Sequence, residues 1–297
     1  LYNIVTVMTS SDSNKKSSQT SANNAGVFHS HEALENVAKR LRRHIVTMIG
    51  KAGSGHPGGS LSAVDIVTML YWKILRHNPS DPYWPDRDRF ILSKGHAAPM
   101  LYSALAECGY FPVEELPTLR QIDSRLQGHA DRTATPGVEM SSGSLGQGLS
   151  FGIGVALAAR LDSRDYRTYV LLGDGECNEG QVWEAAMAAP HFHLDNLVAI
   201  IDKNGLQIDG PTREIMNTDP MEKKWEAFGW HVIEIDGHDF GKLTEAFNQA
   251  RMVKRQPTVL IADTIKGKGV SFMENVAGFH GKAPSQEQME TALKELE

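Results

Sequence analysis

Cysteine is nearly absent from this 297-residue chain: the two present, Cys108 and Cys177, lie far apart. That excludes a disulfide framework and a paired-cysteine metal site, and makes a reducing cytoplasm the simplest expected setting. No run of 18 apolar residues occurs, so no transmembrane helix is predicted. Lys and Arg number 30 against 36 Asp and Glu, giving a formal net charge of −6 and a pI near 6.1. The basic face that nucleic-acid binders carry is therefore missing. Internal repeats and linkers are also lacking between residues 31 and 297. What is present is a composition of 41% hydrophobic and 22% charged residues, enough for a real core. Small molecules or other proteins are the expected partners.

The opening apolar run, Leu1 to Met8, is short, lacks a basic flank and leads into a polar stretch, so it reads as neither signal peptide nor membrane span. Residues 9–27, rich in Ser, Asn and Thr, cannot bury enough apolar surface to offset ordering entropy. Residues 1–30 are accordingly expected to be a disordered leader or a mis-called start, with Met8 as the alternative initiator. From His31 the pattern changes. Leu34, Val37, Ala38, Leu41, Ile45 and Met48 recur at helical spacing until Gly50, and the basic cluster Lys39, Arg40, Arg42 and Arg43 reads as the solvated face of that helix.

A second helix is predicted from residue 62 to about 75, then a Pro-rich turn region, then the apolar run Phe90-Ile91-Leu92. A small-residue helix should follow Gly146, with Gly152 and Gly154 allowing close packing. Apolar runs at 168–172, 197–201, 232–235 and 259–262 read as strands, separated by helical patterns at 182–189 and 243–253. Strands alternating with helices predict right-handed crossovers and a three-layer, doubly wound, mostly parallel α/β sheet over residues 31–297. The polar, helix-forming residues 285–297 read as a domain edge.

In such sheets ligands bind beyond the carboxyl ends of the strands. Two turns there carry chemistry: Gly173-Asp174-Gly175 after the run at 168–172, and Asp202-Lys203-Asn204-Gly205-Leu206 after the run at 197–201. Either alone is ordinary turn chemistry. Together they offer one carboxylate, one amide oxygen and a main-chain carbonyl, which leaves several positions of an octahedral Mg²⁺ open for phosphate oxygens and water. Four histidines each lie beside glycine: His56 in Ser54-Gly55-His56-Pro57-Gly58, His96 in Lys94-Gly95-His96, His129 in Gln127-Gly128-His129, and His280 in Phe279-His280-Gly281. One such histidine is usually surface or turn. Four in one setting point to a ligand that needs groups able to exchange protons near neutral pH.

The Gly-Asp-Gly followed 30 residues later by Asn204 resembles the thiamine-diphosphate motif. The strings around His56, His96, Gly143 and His280, in that order, closely resemble the amino-terminal part of transketolase, over essentially all of residues 31–285. The resemblance implies a thiamine-diphosphate-binding fold. It further implies that Asp174, Asn204 and the Leu206 carbonyl hold Mg²⁺ (or Ca²⁺ or Mn²⁺) and that Gly175 lies against the diphosphate. Gly143, Ser144 and Leu145 would cradle the aminopyrimidine, with Ile208 also beside the cofactor. His96 and His280 would lie near the diphosphate and reacting end. His56, His129 and His280 would bind the ketose donor and move protons. Glu179 matches an acidic position near the contact between cofactor sites, although a helix N-terminal acid is an equally good reading. Ser144 replaces a proline common in full-length transketolases, and the connection from Gly143 to Asp174 is shorter than in many of them; both bear on substrate preference.

The implied activity is transfer of a two-carbon ketol unit from a ketose phosphate to an aldose phosphate, as in the pentose phosphate pathway. The family's cofactor-activating glutamate, stacking aromatics and phosphate-binding arginines lie in later domains. A split enzyme is therefore implied, with a partner subunit carrying the pyrimidine-binding and carboxy-terminal domains in an α2β2 heterotetramer. The competing readings are half of another thiamine-diphosphate enzyme, of deoxyxylulose-phosphate synthase or oxo-acid dehydrogenase type, and a non-catalytic regulatory subunit that keeps the fold.

Overall fold

The computed structural model describes residues 30–297. The leader and the Met8 start lie outside the described residues, apart from Ser30, whose side chain caps the first helix. The chain runs through α1 (His31–Ala52), α2 (Pro57–Ser62), α3 (Val64–Met69), β1 (Arg89–Leu92), α4 (Ala98–Glu107), α5 (Gln147–Leu161), β2 (Thr168–Gly173), α6 (Gly180–His191) and β3 (Leu197–Lys203). A two-residue hairpin, β4 (Leu206–Gln207) and β5 (Gly210–Pro211), follows. Then come α7 (Thr212–Ile215), α8 (Met221–Ala227), β6 (His231–Asp236), α9 (Phe240–Met252), β7 (Thr258–Asp263) and α10 (Gln286–Glu295). No described helix is long and apolar enough to cross a membrane.

The main sheet has the order β1-β2-β3-β7-β6, with every pairing parallel. Its strands are nearly continuous apolar runs because both faces are covered, as parallel sheets require. Leu92, Leu171, Ile200 and Leu260 pack on one face with residues of α1, α3, α4 and α9. Their neighbours Ile91, Val170, Ile201 and Ile261 pack on the other with α5, α6 and α8. The chain leaves β3 for the edge at β6 and returns to β7, placed directly beside β3. Because α6 and α9 serve crossovers on opposite faces, β3 and β7 flank the switch point where a crevice opens at the carboxyl ends.

Three expectations need correction. The helix predicted over 62–75 starts earlier, at Pro57, whose fixed φ suits a first helical turn. It breaks at Ala63 and, after α3, ends in a π-helical segment, Leu70–Ile74. Ser62 explains the break locally: its hydroxyl donates to Asp202 Oδ2 at 2.5 Å, drawing this turn onto the end of β3. The basic cluster on α1 is a solvated face only in part: Lys39 and Arg40 are exposed, as expected, but each has a partner, and the other two turn inward. Arg42 is buried and paired with Asp65 at 2.6 Å, Arg40 pairs with Glu107 at 3.2 Å, and Arg43 and Lys39 donate to the Leu293 and Glu297 carbonyls at the end of α10. Finally, of Gly152 and Gly154 only the first packs closely, as does Gly148 near the start of α5. A Cβ on Gly152 would lie 2.6 Å from Val170 Cγ2, whereas one on Gly154 meets nothing within 4 Å.

That contrast predicts opposite signs. Gly152→Ala forces α5 off the sheet and should destabilise the chain by about 1–3 kcal/mol. Gly154→Ala, in open helix, should stabilise it by up to about 1 kcal/mol. Urea midpoints of the two variants check both.

Candidate cofactor and substrate site

Loops at the carboxyl ends of β1, β2, β3 and β7 converge with the His56 loop. The four histidines form one cluster with His56 at its hub: ring centroids lie 5.3 Å from His96, 5.9 Å from His129 and 5.7 Å from His280, and His96 and His280 are 5.0 Å apart. His96 sits in a 3₁₀ turn directly after β1 and lies over Gly59, where an added Cβ would be 3.1 Å from its Nε2. The cluster is held uncharged. Burial, then Arg120 and His129, lower His56 to about 4; burial, then Lys266 and His56, lower His280 to about 3. Burial, with Lys94 next, places His96 well below the ordinary histidine value, and burial with Arg120 lowers His129.

Below the histidines is a cavity lined by His96, Leu145, Asp174, Gly175, Asn204, Leu206, Ile208 and His280, eight of the residues expected from sequence. Asp174 follows β2 and is 2% exposed. Its oxygens accept from the Gly175 amide at 2.8 Å and the Gly205 amide at 2.6 Å. Burial, then the nearby Asp202 charge, push it up to about 6. A buried carboxylate without a cation is costly, so this position suits a metal. Asn204 and Leu206 line the same cavity. Here Asn204 Oδ1 accepts from the Leu206 amide at 3.1 Å and the Leu206 carbonyl accepts from Lys266 at 2.9 Å, so a cation would have to displace these donors to use both oxygens. No cluster of three His, Cys, Asp or Glu ligands exists among the described residues, so a cation here must take its remaining ligands from a bound anion or water.

Several residues escaped the sequence reading. Lys266, after β7, reaches into the cavity, its Nζ donating to the Leu206 carbonyl and to His280 Nδ1, both at 2.9 Å. That bond makes Nδ1 the acceptor and leaves the His280 proton on Nε2. Burial, then Lys94, lower Lys266 to about 8. Lys94 forms a buried ion pair with Asp202, which also accepts from Ser62 and Thr264. Burial alone would raise Asp202, but Lys94 and these hydrogen bonds outweigh it and keep the carboxyl low. Glu176, in the 3₁₀ turn that continues from Gly175, is a clamp. Its carboxylate accepts from Ser93 Oγ at 2.5 Å, the Gly146 amide at 2.8 Å and the Gly173 amide at 2.9 Å, tying β1, β2 and the start of α5 together. Arg120 donates to Ser54 Oγ at 2.8 Å and lies across Gly128, so it touches the loops of both His56 and His129. Lys94 and Asp202 stand in strings that follow apolar runs, and the run before Lys266 marks a further strand end; nothing local points to Arg120.

The other expected residues fall around the cavity. Gly143 packs against Gly95 and His129, and Ser144 beside it is exposed. Glu179 is exposed at the N-cap of α6, over Gly146, and makes no contact with the histidines. Of the eight buried side-chain polar atoms without a partner among the described residues, three lie around the site: His56 Nδ1, Gln207 Nε2 and Ser142 Oγ. Gln207 lines the cavity, and Ser142 packs on Gly95 next to His96. Orphaned atoms of this kind fit a polar ligand that supplies their bonds.

Fold and cavity together define a doubly wound α/β protein with a polar-lined cavity at the carboxyl ends of a parallel sheet. Residues 34–296 match the family described as transketolase, thiamine diphosphate binding domain. The chain is 46% identical over 264 residues to the 6-deoxy-6-sulfo-D-fructose transketolase subunit SqwG of Clostridium sp. (strain MSTE9), covering 89% of this chain and 96% of that protein. It is 44% identical to an apulose-4-phosphate transketolase subunit of Phocaeicola vulgatus, covering 89% and 94%. The crystal structure of transketolase from Campylobacter jejuni superposes with a TM-score of 0.85 at 34% identity, over 90% of this chain but 43% of that one. The chain belongs to the transketolase family of thiamine-diphosphate-binding domains.

Proposed function

We propose that residues 31–297 form the diphosphate-binding domain of a transketolase subunit, which transfers a two-carbon ketol unit between anionic sugars once a partner supplies the pyrimidine-binding domain. The observation that carries this reading is the uncharged four-histidine cluster set over the Asp174–Asn204–Leu206 oxygens. In it Asp174, Asn204 and the Leu206 carbonyl hold Mg²⁺, or Ca²⁺ or Mn²⁺ in its place. Lys266, His96 and His280 face the diphosphate. Gly143, Ser144, Leu145 and Ile208 border the thiamine.

Thiamine diphosphate supplies carbanion stabilisation when bound. The chain supplies proton handling. His56 Nδ1, buried and without a partner among the described residues, accepts the hydroxyl proton that the donor sugar releases as its carbon–carbon bond breaks, and returns it when the acceptor is joined. His280 offers its Nε2 proton to substrate oxygens, and His129, at the exposed rim, binds the sugar hydroxyls. The relatives' names specify a sulfonated and a phosphorylated ketose, which supports a donor with a terminal anion.

Two features support a partner. Relatives covered over 94–97% of their length are called subunits, whereas the chain spans about two fifths of the full-length transketolases it matches. Apolar side chains also lie open on two neighbouring helices, with Phe151 and Leu161 on α5 and Met187 on α6 exposed. The reading is an α2β2 assembly with Glu179 near the contact between copies. The chain alone should show no ketol transfer, and mixing with a subunit carrying the pyrimidine-binding domain should restore it with xylulose 5-phosphate and ribose 5-phosphate but not with pyruvate. Full activity from the chain alone overturns the split reading. Turnover of pyruvate instead favours the deoxyxylulose-phosphate synthase or oxo-acid dehydrogenase type. Absence of Mg²⁺-dependent cofactor binding in calorimetry with the partner present favours a regulatory subunit.

A further inference from the structure

Outside the cavity the chain builds a buried charge relay that the proposed chemistry does not use. Asp65 on α3 is 4% exposed, and its Oδ2 accepts from Arg42 Nη2 at 2.6 Å and lies 2.7 Å from His238 Nδ1. The other ring nitrogen of His238, Nε2, receives the backbone N–H of Ile265 at 2.9 Å. A nitrogen that accepts an N–H cannot carry a proton, so His238 is neutral with its hydrogen on Nδ1, donated to Asp65. Arg42 in turn uses its Nε to donate to the Lys268 carbonyl at 3.1 Å.

The relay thus grips Ile265 at one end and Lys268 at the other. Between them sit Lys266, whose ammonium reaches the Leu206 carbonyl and His280, and Gly267. Gly267 has φ +81° and its amide donates to the Gly58 carbonyl at 3.0 Å, in the turn that follows His56. A Cβ there would lie 2.4 Å from the Met273 carbonyl oxygen, so the turn has one available path. A salt bridge serving the core alone has no need of main-chain partners on both sides of a single ligand-facing lysine.

We propose that Arg42, Asp65 and His238 are positioning residues for the cofactor floor: they lock the 265–268 turn through the Nδ1–H tautomer of His238, and cofactor affinity depends on that lock through Lys266. The clamp itself stands on geometry, and its link to cofactor affinity rests on the thiamine-diphosphate reading. Supporting partners of this kind are worth about 10–100-fold in ligand affinity when removed.

Two substitutions at one position separate positioning from bulk. In His238→Gln the amide oxygen can accept from Ile265 and the amide nitrogen can donate to Asp65, whereas His238→Leu fills the space and makes neither bond. In the full chain, ¹⁵N-histidine spectra should show His238 protonated on Nδ1 only, and the Ile265 amide should exchange slowly in wild type and His238→Gln but rapidly in His238→Leu. With the partner subunit present, Mg²⁺-dependent thiamine diphosphate binding by calorimetry should weaken about 10–100-fold in His238→Leu and stay within about threefold of wild type in His238→Gln. A proton on Nε2, unchanged Ile265 exchange in His238→Leu, or equal cofactor affinity in the two folded variants overturns the proposal. If wild type itself binds no cofactor, the thiamine-diphosphate reading and the affinity link fall together, while the spectra and Ile265 exchange still decide the clamp.

Discussion

Asp174→Asn should weaken Mg²⁺-dependent binding of thiamine diphosphate by about 10²-fold or more, equivalent to about 3 kcal/mol, while leaving the cofactor-free chain as stable as before. The carboxylate is the one charged group in the Asp174–Asn204–Leu206 set, so an amide removes the main electrostatic attraction for a divalent cation and, through it, for the diphosphate. The effect on folding runs the other way. A carboxyl pushed from its ordinary 3.8 up to about 6 by burial and Asp202 carries a charging penalty of about 3 kcal/mol above pH 6. Removing the charge relieves this. The amide N–H₂ then faces one of the two backbone amides that Asp174 accepts from, which costs about 1–3 kcal/mol and offsets the gain. Calorimetry with the partner, Mg²⁺ and cofactor reads the first effect, and the thermal midpoint of the chain alone reads the second. Retained affinity would remove Asp174 from the metal site. A large loss of stability without loss of affinity would make it a structural turn residue.

The sheet was legible in sequence because each strand of β2, β3 and β7 is an unbroken apolar run closed by Gly or Asp, a pattern that burial on both faces imposes locally. The glycine-flanked histidines were legible for a similar reason, since each occupies a short string whose composition is unlike core or helix. What sequence did not disclose is pairing at long range. Lys94 and Asp202 are 108 residues apart, Ser93 and Glu176 are 83 apart, and Arg42 and Lys268 are 226 apart. Buried charges are chosen by their partners, and no local period records a partner. The reading of Arg42 as solvent-facing failed on this point: its helical position is amphipathic in pattern, but Asp65 and the Lys268 carbonyl give it a reason to be inside. Likewise Glu176, two residues beyond Asp174, carries no local mark of its role, because Ser93 and Gly146 reach it only through the fold.

Without cofactor, the chain should lose stability as pH falls from about 6.5 toward 4.5. His56, His96 and His280 have folded values below the ordinary 6.5, so in this window the unfolded chain binds protons that the folded chain refuses, and stability falls with pH. Asp174 works against them: its folded value of about 6 lies above 3.8, so the folded chain takes up a proton first and gains about 2 kcal/mol by pH 4.5. His56 and His280 are partly exposed, and solvent screening reduces each contribution to about 1 kcal/mol. His96, the most enclosed of the three, adds to the loss, as do His77 and His129, which burial also lowers. Glu176, raised by burial, joins Asp174, and the five imidazoles outnumber the two carboxyls. Asp65 and Asp202, whose values are lowered, keep their contributions until pH drops below 3.8, so they do not blur the window. Urea midpoints at pH 7, 6, 5 and 4.5 should therefore decline, and His96→Gln should flatten the decline by removing the most buried imidazole. A midpoint that rises on acidification would mean that Asp174 outweighs the histidines, and that the cluster is open to water. Bound diphosphate should flatten the slope as well, because an anion beside His96 and His280 favours the protonated imidazoles that burial disfavours.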